Sequence, residues 1–580
     1  MEYTLSLAAL RSLPISQRRI AIAASNGTGE QLLRLFDEIA TVPESISRLF
    51  LPAFFAHLDL IQAERMEQLE ELTPSDTQLL RRAVLAIQGV AAIHMSNKSY
   101  PELWPPLWHW SRLIMKHQHY LPAMQKNHLS ELHIIILRLV GRLNYDEMRP
   151  AIRAAPGFRQ LVAKVWTLCV QDEWVGTGFS RDHCFELVIG FLQSGLDLKD
   201  PKHQDDVTEG CGGSLVDFAD VLVNSVLHLA SDDTDRSFRF LSDTLFIIVE
   251  TEHVRPDLSP LLLDRGLIRA LVVILSTLSL NSGSALDYGF RVLISRMAVP
   301  LCQVRLAEAL EAGLLAVLAS ALGTPGLISA AVFEECVLEL LRPCFPYRSV
   351  LVPFHLALLD IATETNWEQS PLWDTWYKLH KAYTTMLATL QLHVTRDLPV
   401  PLLSCHNVAC DSSIRSRKSC SSCESMYYCS VECQRSRSDW LRGHRQTCTK
   451  IRARPLNAPD PMTSRDRSFL RTLVYTAWKM NLGQILLSQL DQMLGLDSDS
   501  TADLDMQFVT FFQFVDGQLE IATQDSAKTN DRELFGSMWD DQLARAAASQ
   551  GRLHLAIISI FRSPGETSCQ LFALRRSPAL

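Results

Sequence analysis

Within the 44 residues from Cys405 to Cys448, seven cysteines and His444 form four close pairs, and their spacing limits what this part of the chain can fold into. The pairs are Cys405 and Cys410, Cys420 and Cys423, Cys429 and Cys433, and His444 and Cys448. A structural zinc ion takes four sulfur or imidazole ligands in a tetrahedron. Eight ligands therefore predict two zinc ions. Protein atoms fill every position around each ion, which leaves none for a catalytic water.

The two ions would also supply most of the stability of this segment. A stretch of 44 residues has too little apolar material to fold alone, and a structural zinc site contributes on the order of 10 kcal/mol or more. Between Cys405 and Lys450, eight Lys or Arg residues and four acidic residues give a net charge of +4, which two Zn²⁺ and seven thiolates reduce to about +1. The segment therefore has little excess positive charge for binding nucleic acid.

The order of ligands and aromatic residues in this segment resembles that of a MYND-type zinc finger. The likeness covers about 44 of the 580 residues and fills all eight ligand positions. It includes Tyr428, Gln434 and Trp440, which lie next to or between the ligands. One departure is the first pair, whose cysteines are separated by four residues instead of the more usual two. Both sulfurs can still reach one ion at this spacing, and His406, which lies between them, is an alternative donor.

The resemblance implies an interleaved arrangement of the two zinc sites. The first ion would take Cys405, Cys410, Cys429 and Cys433, and the second would take Cys420, Cys423, His444 and Cys448. Spacing alone does not distinguish this arrangement from sequential pairing. MYND fingers typically bind short proline-containing peptides, so the resemblance also implies a groove lined by Gln434 and Trp440, with Tyr428 as packing support. The alternative role for Trp440 is to close the small core of the finger.

Composition bounds the rest of the chain. At 580 residues the chain is expected to contain roughly three or four domains or one long repeat array. An apolar content of 47% is ample for packed interiors, and the net charge of -9 gives no chain-wide case for nucleic-acid binding. The other seven cysteines are scattered through apolar surroundings, which is typical of free thiols in a reducing compartment. They are Cys169, Cys184, Cys211, Cys302, Cys336, Cys344 and Cys569.

No secretory or membrane-spanning segment is expected. The first residues lack the basic start and the continuous apolar run of a signal peptide. The longest uncharged stretch, Gly313 to Phe333, is interrupted by Gly323-Thr-Pro-Gly326, which predicts two buried helices joined by a turn. We therefore expect a soluble protein located in the cytoplasm, the nucleus or both, with no membrane partner.

Residues 1–397 carry a succession of helical patterns and predict a mainly α fold of the armadillo/HEAT-like solenoid type. Apolar residues recur every three or four positions, as from Leu215 to Leu229. Gly266 and Gly313, which lie 47 residues apart, each precede an apolar helical segment, and Gly157 does the same. This spacing matches armadillo or HEAT repeats. The alternative is an irregular helical domain without a true repeat. The Trp-rich segment from Leu103 to Trp110 is predicted to pack in the hydrophobic core around a helix start.

Proline-rich flanks delimit the finger at 398–452, followed by a linker at 453–465 and a small α+β domain at 466–580. This last region is expected to begin with one long helix over 466–494, followed by an acidic break at 497–503. Alternating apolar residues predict strands at 507–514 and 553–561, with a helix at 531–548 between them and a last strand at 569–574. It contains no recognisable active-site pattern.

These features favour a non-enzymatic, zinc-binding adaptor whose finger and solenoid bind partner proteins or proline-containing peptides. Its layout resembles that of MYND-finger proteins of fungi. Transcriptional regulation and ubiquitin-ligase adaptation, both found among MYND proteins, are alternatives. A SET-type lysine methyltransferase is a further alternative, but the segments around the finger lack the Asn-His-Ser/Cys-like motif, and a single cysteine follows Cys448. No small-molecule substrate is expected.

Overall fold

The computed structural model divides into two compact units, Met1–Leu267 and Ile268–Leu580, which are described separately. It describes residues 5–93, 100–121, 126–143, 147–171, 180–195, 199–230, 235–278, 283–324, 326–361, 367–395, 407, 410, 418–419, 427–435, 462–494, 507–515, 518–526, 535, 537–549 and 553–575. The predicted finger limits at 398 and 452 lie outside these residues. The predicted domain divisions therefore stay predictions.

The described residues of the first unit form helices and short connections. The α-helices are α1 (Ile15–Ser25), α2 (Gly29–Thr41), α3 (Glu44–Ser47), α4 (Leu51–Phe55), α5 (Leu60–Glu67), α6 (Pro74–Ala92), α7 (Tyr100–Lys116), α8 (Lys126–Leu143), α9 (Arg149–Ala154), α10 (Phe158–Val170), α11 (Arg181–Gly195), α12 (Pro201–Cys211), α13 (Leu215–Ala230), α14 (Asp235–Val254) and α15 (Leu258–Asp264). Short 3-10 helices cover Leu7–Ser12, Arg48–Phe50 and Gln118–Tyr120.

Helix α6 shows how the sequence sets a helix start. Thr73 precedes it, and the Thr73 hydroxyl accepts a hydrogen bond from the Asp76 backbone N–H at 3.2 Å. In return, the Asp76 carboxylate accepts one from the Thr73 backbone N–H at 3.2 Å. This reciprocal pair satisfies two donors that the first helical turn leaves open. Hydrogen bonding by Thr73 is the main reason that the pKa of Asp76 lies below its usual value.

The Trp-rich segment is buried, as the sequence predicts. Trp104, Trp108 and Trp110 are each no more than 6% exposed. The Trp108 indole N–H donates to the Pro156 carbonyl at 3.1 Å, and that of Trp110 donates to the Asp59 carbonyl at 3.2 Å. All three indoles therefore fill core positions, and those of Trp108 and Trp110 keep a partner for their polar atom.

Side-chain contacts between helices of the first unit recur at similar separations in sequence. The residues of each pair are 45 to 51 positions apart: Arg112 and Glu67, Trp108 and Pro156, Arg159 and Asp206, Arg265 and Asp220, Gln193 and Asp243, and Trp110 and Asp59. These six contacts place helices about one such interval apart side by side, although other contacts of the unit have different separations, such as Trp166 with Ser225 at 59 positions.

Three glycines adopt the left-handed conformation immediately before a helix. The φ angle is +80° at Gly157, +86° at Gly266 and +104° at Gly313. An L-residue with a side chain is strained at these angles, whereas glycine is not. Each of the following helices is rich in buried apolar residues. The predicted turn role of these glycines is thus confirmed.

Replacing Gly313 with alanine should destabilise the protein by about 1–2 kcal/mol through backbone strain alone. A Cβ at Gly313 meets no atom within 4 Å, so crowding does not contribute. Gly323 offers a matched control, because its Cβ would also meet nothing within 4 Å and its backbone is helical. Gly323→Ala should be neutral or slightly stabilising in urea denaturation. Equal losses from both variants would contradict the strain account.

The second unit combines helices with a small sheet. Its α-helices are α16 (Leu267–Leu278), α17 (Gly283–Met297), α18 (Cys302–Glu311), α19 (Leu314–Gly323), α20 (Ala330–Glu334), α21 (Arg348–Asp360), α22 (Trp373–Thr395), α23 (Val431–Arg435), α24 (Ser464–Met480), α25 (Leu482–Leu494) and α26 (Ser537–Ala548). A π-helix covers Glu335–Leu341, and 3-10 helices cover Arg342–Cys344 and Trp367–Gln369. The strands are β1 (Lys418–Ser419), β2 (Tyr427–Tyr428), β3 (Phe508–Val515), β4 (Gln518–Asp525), β5 (Leu553–Ser563) and β6 (Glu566–Arg575).

Strands β3 to β6 form a mixed sheet in the order β4-β3-β5-β6. The β3–β4 and β5–β6 pairs are antiparallel, whereas β3 and β5 run parallel. Helix α26 lies between β4 and β5 in sequence, and its Trp539 packs with Val509, Leu555 and Ile557 on one face. Residues of β5 on the opposite face, such as Ile558, are also buried. Both faces of β5 are therefore covered, as is typical of a strand in the interior of a layered fold.

The sheet packs against helices of the same unit. The Tyr347 hydroxyl donates to the Phe561 carbonyl at 2.6 Å. The rings of Trp478 and His554 lie 6.1 Å apart. The described part of the chain is thus mainly helical with a small C-terminal mixed sheet, which confirms the coarse fold class predicted from the sequence.

Two details of the C-terminal region differ from the sequence prediction. The predicted single helix over 466–494 is two helices, α24 and α25, divided at Asn481. The Asn481 side-chain amide donates to the Ala477 carbonyl at 2.8 Å, which caps the first helix. Strand β4 was not predicted. The predicted strands at 507–514, 553–561 and 569–574 fall on β3, β5 and β6, and the predicted helix at 531–548 overlaps α26. The acidic break at 497–503 lies outside the described residues.

The uncharged stretch from Gly313 forms two helices, α19 and α20, as predicted. In the part of the chain that the structure describes, no single helix has both the length and the apolar character needed to cross a bilayer. Two pairs of consecutive helices, α12 with α13 and α18 with α19, reach that length and composition only when combined. The first pair is bent by 80° and the second by 70°.

Candidate metal centre

A minimal strand–turn–helix unit positions two of the predicted zinc ligands. Strand β1 pairs antiparallel with β2, with Lys418 opposite Tyr428. Cys429 follows β2 directly, and Ser430 is the residue before α23. The Ser430 hydroxyl accepts a hydrogen bond from the Cys433 backbone N–H at 3.1 Å, and so caps the helix. This cap brings Cys433, four residues after Cys429, to the same side of the unit.

A third thiol reaches the same place from an earlier part of the chain. The Cys410 backbone N–H donates to the Asn407 carbonyl at 3.0 Å, and Asn407 is buried. The Sγ atoms of Cys410 and Cys429 are 3.6 Å apart, and those of Cys429 and Cys433 are 3.2 Å apart. All three sulfur atoms lie within 4.8 Å of one another, and all three residues are half-buried.

This arrangement fits a tetrahedral metal ion with sulfur ligands. Zinc–sulfur bonds of about 2.3 Å place neighbouring sulfurs of a tetrahedron about 3.8 Å apart. The Cys410–Cys429 separation of 3.6 Å is close to that edge, and the Cys429–Cys433 separation of 3.2 Å is somewhat shorter. A disulfide would use two of the three thiols and leave the third. A thiophilic cation uses all three, and thiolate donors select ions such as zinc.

The described residues bring together three of the eight predicted ligands: Cys410, Cys429 and Cys433. Tyr428 is fully buried, in line with its predicted packing role. Gln434 is half-buried on α23, and its backbone N–H donates to the Ser430 carbonyl at 3.1 Å. The remaining predicted site residues lie outside the described residues. They are Cys405, Cys420, Cys423, Trp440, His444 and Cys448, together with the competing donor His406.

The cysteines outside the finger have a different character. Cys169, Cys184, Cys211, Cys302, Cys336 and Cys344 are buried, as the sequence predicts for free thiols that act as small apolar residues. Burial raises the pKa of Cys184 to about 11 and that of Cys336 to about 12. Such thiols stay protonated at neutral pH and are poor metal ligands and poor nucleophiles. The adjacent His183 is exposed, and its Nδ1 lies 3.6 Å from a carboxylate oxygen of Glu186.

Sequence reasoning missed one cluster of charged residues in the first unit. Arg112 and Lys116 lie one turn apart on α7, and Lys164 lies on α10. These residues line the same pocket as Glu67. The i, i+4 spacing of Arg112 and Lys116 is the signal in the sequence that could have drawn attention to it. Lys164 joins these residues only through the packing of α10 against α7, which the sequence does not show.

Comparison with known proteins identifies no relative of this chain. The resemblance of the cysteine segment to MYND fingers rests on the residues quoted above. No protein-family model matches the sequence, no curated protein matches it, and no solved structure matches the fold.

Proposed function

We propose that this protein is a non-enzymatic adaptor in which a finger stabilised by two structural zinc ions binds partner proteins or proline-containing peptides. The observation that carries the proposal is the convergence of the thiols of Cys410, Cys429 and Cys433. A cluster of three cysteines with a tetrahedral edge length is typical of structural zinc and offers little for catalysis.

In this proposal the two zinc sites are interleaved. Cys405 completes the first site with Cys410, Cys429 and Cys433, and the second site takes Cys420, Cys423, His444 and Cys448. The proximity of Cys410 to Cys429, at 3.6 Å between sulfurs, supports interleaving. Sequential pairing would instead join Cys410 to Cys420 and Cys423. When bound, the ions supply folding free energy to the segment and no reaction step.

The helical region would provide a second surface, as an armadillo/HEAT-like array. Two observations support this part of the proposal. Side-chain contacts recur 45 to 51 residues apart in the first unit. The left-handed glycines Gly266 and Gly313 are 47 residues apart in sequence. These intervals approximate the armadillo and HEAT periods of about 40–47 residues. Stacked repeats of this kind present an extended face to other proteins.

The peptide groove is proposed to lie along α23, with Gln434 and Trp440 as contact residues. Tyr428, which is fully buried and directly precedes Cys429, would support the backbone that the peptide would meet. A preorganised backbone beside an exposed aromatic ring suits an extended proline-containing ligand.

Because thiolate ligands must stay reduced, we propose a cytoplasmic or nuclear location. Transcriptional regulation and ubiquitin-ligase adaptation are compatible with this role; recovery in nuclear fractions would favour the first, and co-purification of ubiquitin enzymes the second.

An array of proline-containing peptides tests the proposed groove. Full-length, zinc-loaded protein should retain a subset of peptides that share a sequence pattern. Gln434→Ala and Trp440→Ala should each lower their affinity by about tenfold, the effect of about 1.4 kcal/mol at a contact residue. Arg435→Ala is the matched control, because Arg435 is exposed and adjacent on the same helix.

If neither Gln434→Ala nor Trp440→Ala changed the affinity, the peptides would bind outside the proposed groove. Absence of any retained peptide would remove the finger from the proposed function and leave the helical array as the interaction surface. In both cases, zinc content is measured on the same samples, so that loss of the finger fold is distinguished from loss of a contact.

A further inference from the structure

A pocket of 230 Å³ opens between helices α5, α7 and α10 of the first unit, and cations dominate its charged lining. Glu67 comes from α5, Arg112 and Lys116 from α7, and Lys164 from α10. Three formal positive charges thus face one negative charge. The surrounding wall is formed in part by the apolar side chains of Leu113 and Met115.

The single carboxylate of the pocket is already engaged. One Glu67 carboxylate oxygen accepts a hydrogen bond from the Arg112 guanidinium at 2.5 Å. The other lies 2.7 Å from His109 Nε2. Arg112 therefore balances the charge of Glu67. The positive charges of Lys116 and Lys164 remain uncompensated by any other pocket residue.

Two main-chain carbonyls hold the Lys116 side chain in place. Its Nζ donates to the main-chain carbonyls of Glu67 at 2.9 Å and Leu69 at 3.4 Å. Carbonyl oxygens orient an ammonium group but carry no full negative charge, so the site keeps its positive potential. Among the described residues, no carboxylate forms an ion pair with Lys116.

Lys164 is half-buried and has no ion-pair partner among the described residues. It lies close enough to His133 for its charge to add to the effect of burial. Burial, together with the charge of Lys164, lowers the pKa of His133 to about 4. His133 is therefore neutral at neutral pH and contributes no charge to balance that of Lys164. A half-buried cation without a counter-ion is costly, and an anion in the pocket would offset that cost.

The size of the pocket limits the ligand to a small group. Pockets for drug-sized molecules have volumes of about 300–1,000 Å³, and this one measures 230 Å³. It suits one phosphoryl or carboxylate group with a short part of the chain that carries it. Lysine and arginine side chains converging from separate helices are well suited to bind such oxyanions.

We propose that this pocket binds an anionic group, phosphoryl or carboxylate, that a partner peptide presents to the helical region. The inference rests on the proposed protein-binding role of that region and names the chemistry of the ligand. Binding of a small anion depends on neither the zinc sites nor the peptide groove, so its failure is distinguishable from failure of the finger.

Isothermal titration of the full-length, zinc-loaded protein at low ionic strength tests the proposal. The probes are inorganic phosphate, O-phosphoserine and acetate. Lys164→Gln should weaken binding of the preferred probe by about tenfold, because it removes one charged donor. Lys202→Gln is the matched control: Lys202 is exposed on α12, lies outside the pocket lining and changes the net charge equally. This control should stay within about twofold of the wild type.

Two further variants protect the test against a folding artefact. Lys164→Arg retains the charge and should keep the affinity for the preferred probe. Lys116→Gln removes the exposed cation on the neighbouring helix and should weaken binding similarly to Lys164→Gln. Tighter binding of phosphate and O-phosphoserine than of acetate would identify the group as phosphoryl, whereas equal binding would identify an acidic group in general. Absence of saturable binding by the wild type, or equal losses in Lys164→Gln and Lys202→Gln, would overturn the proposal.

Discussion

Replacing Cys429 with serine should remove one zinc ion and unfold the finger while the helical region stays folded. Cys429 is the central member of the thiol cluster, with sulfur neighbours at 3.2 Å and 3.6 Å. Serine keeps the size of the side chain but is a far weaker zinc ligand. A structural zinc site is worth about 10–16 kcal/mol to a finger-sized segment, so its loss exceeds the stability that the remaining contacts supply.

The expected result has two readouts. Zinc measured by inductively coupled plasma mass spectrometry should fall by at least one ion per chain. Amide exchange between Cys405 and Cys448 should accelerate, while the helical circular dichroism should change little, because α23, the helix that carries Cys433, has five residues. The matched control is Cys569→Ser, which changes a half-buried thiol outside the finger. If Cys429→Ser retained the wild-type zinc content, Cys429 would not be a ligand.

Replacing Trp166 with alanine should destabilise the first unit by about 3–5 kcal/mol, the usual cost of truncating a buried large aromatic residue. Trp166 is fully buried on α10. Its indole N–H donates to the Ser225 hydroxyl at 2.7 Å, and its ring meets that of Phe218 edge-on at 6.2 Å. Truncation opens a cavity and also breaks the side-chain link between α10 and α13. Urea denaturation followed by far-ultraviolet circular dichroism measures the loss.

Trp166→Phe separates the two contributions to this loss. Phenylalanine fills most of the cavity but has no N–H. The Ser225 hydroxyl keeps its own acceptor, because it donates to the Val221 carbonyl at 2.7 Å. We therefore expect Trp166→Phe to cost less than Trp166→Ala. A loss below about 1 kcal/mol for Trp166→Ala would contradict the packing described for this core.

The helical fold was predictable because helices are marked by residues that lie close together in the sequence. Apolar residues at three- and four-residue spacing mark helix faces, and the glycines at 157, 266 and 313 mark the turns before buried helices. Strands β3, β5 and β6 were predictable from alternation. Strand β4 was missed because it is a mostly polar edge strand, in which Leu519 and Ile521 supply too few apolar residues for a clear strand signal. The break at Asn481 depends on a side-chain cap, which periodicity does not reveal.

The candidate metal centre was predictable in composition but not in connectivity. The cysteine and histidine residues and their spacing predict a zinc-binding segment. Which thiols meet depends on how β2, Ser430 and α23 direct the chain after the β1–β2 pairing, and pair spacing carries no information about that path. The resemblance to MYND fingers implied the neighbours that the geometry now supports. The cationic pocket was missed because Glu67, Arg112 and Lys164 are brought together from three helices by packing alone.

Native mass spectrometry of the purified full-length protein tests the central claim most directly. The mass should exceed that of the apo chain by two zinc ions, corrected for the protons that the thiols release. Stepwise chelation followed by thiol alkylation should then expose Cys410, Cys429 and Cys433 in the same step. A zinc content of zero or one, or alkylation of Cys410 in a different step from Cys429 and Cys433, would contradict the two interleaved structural sites on which this account depends.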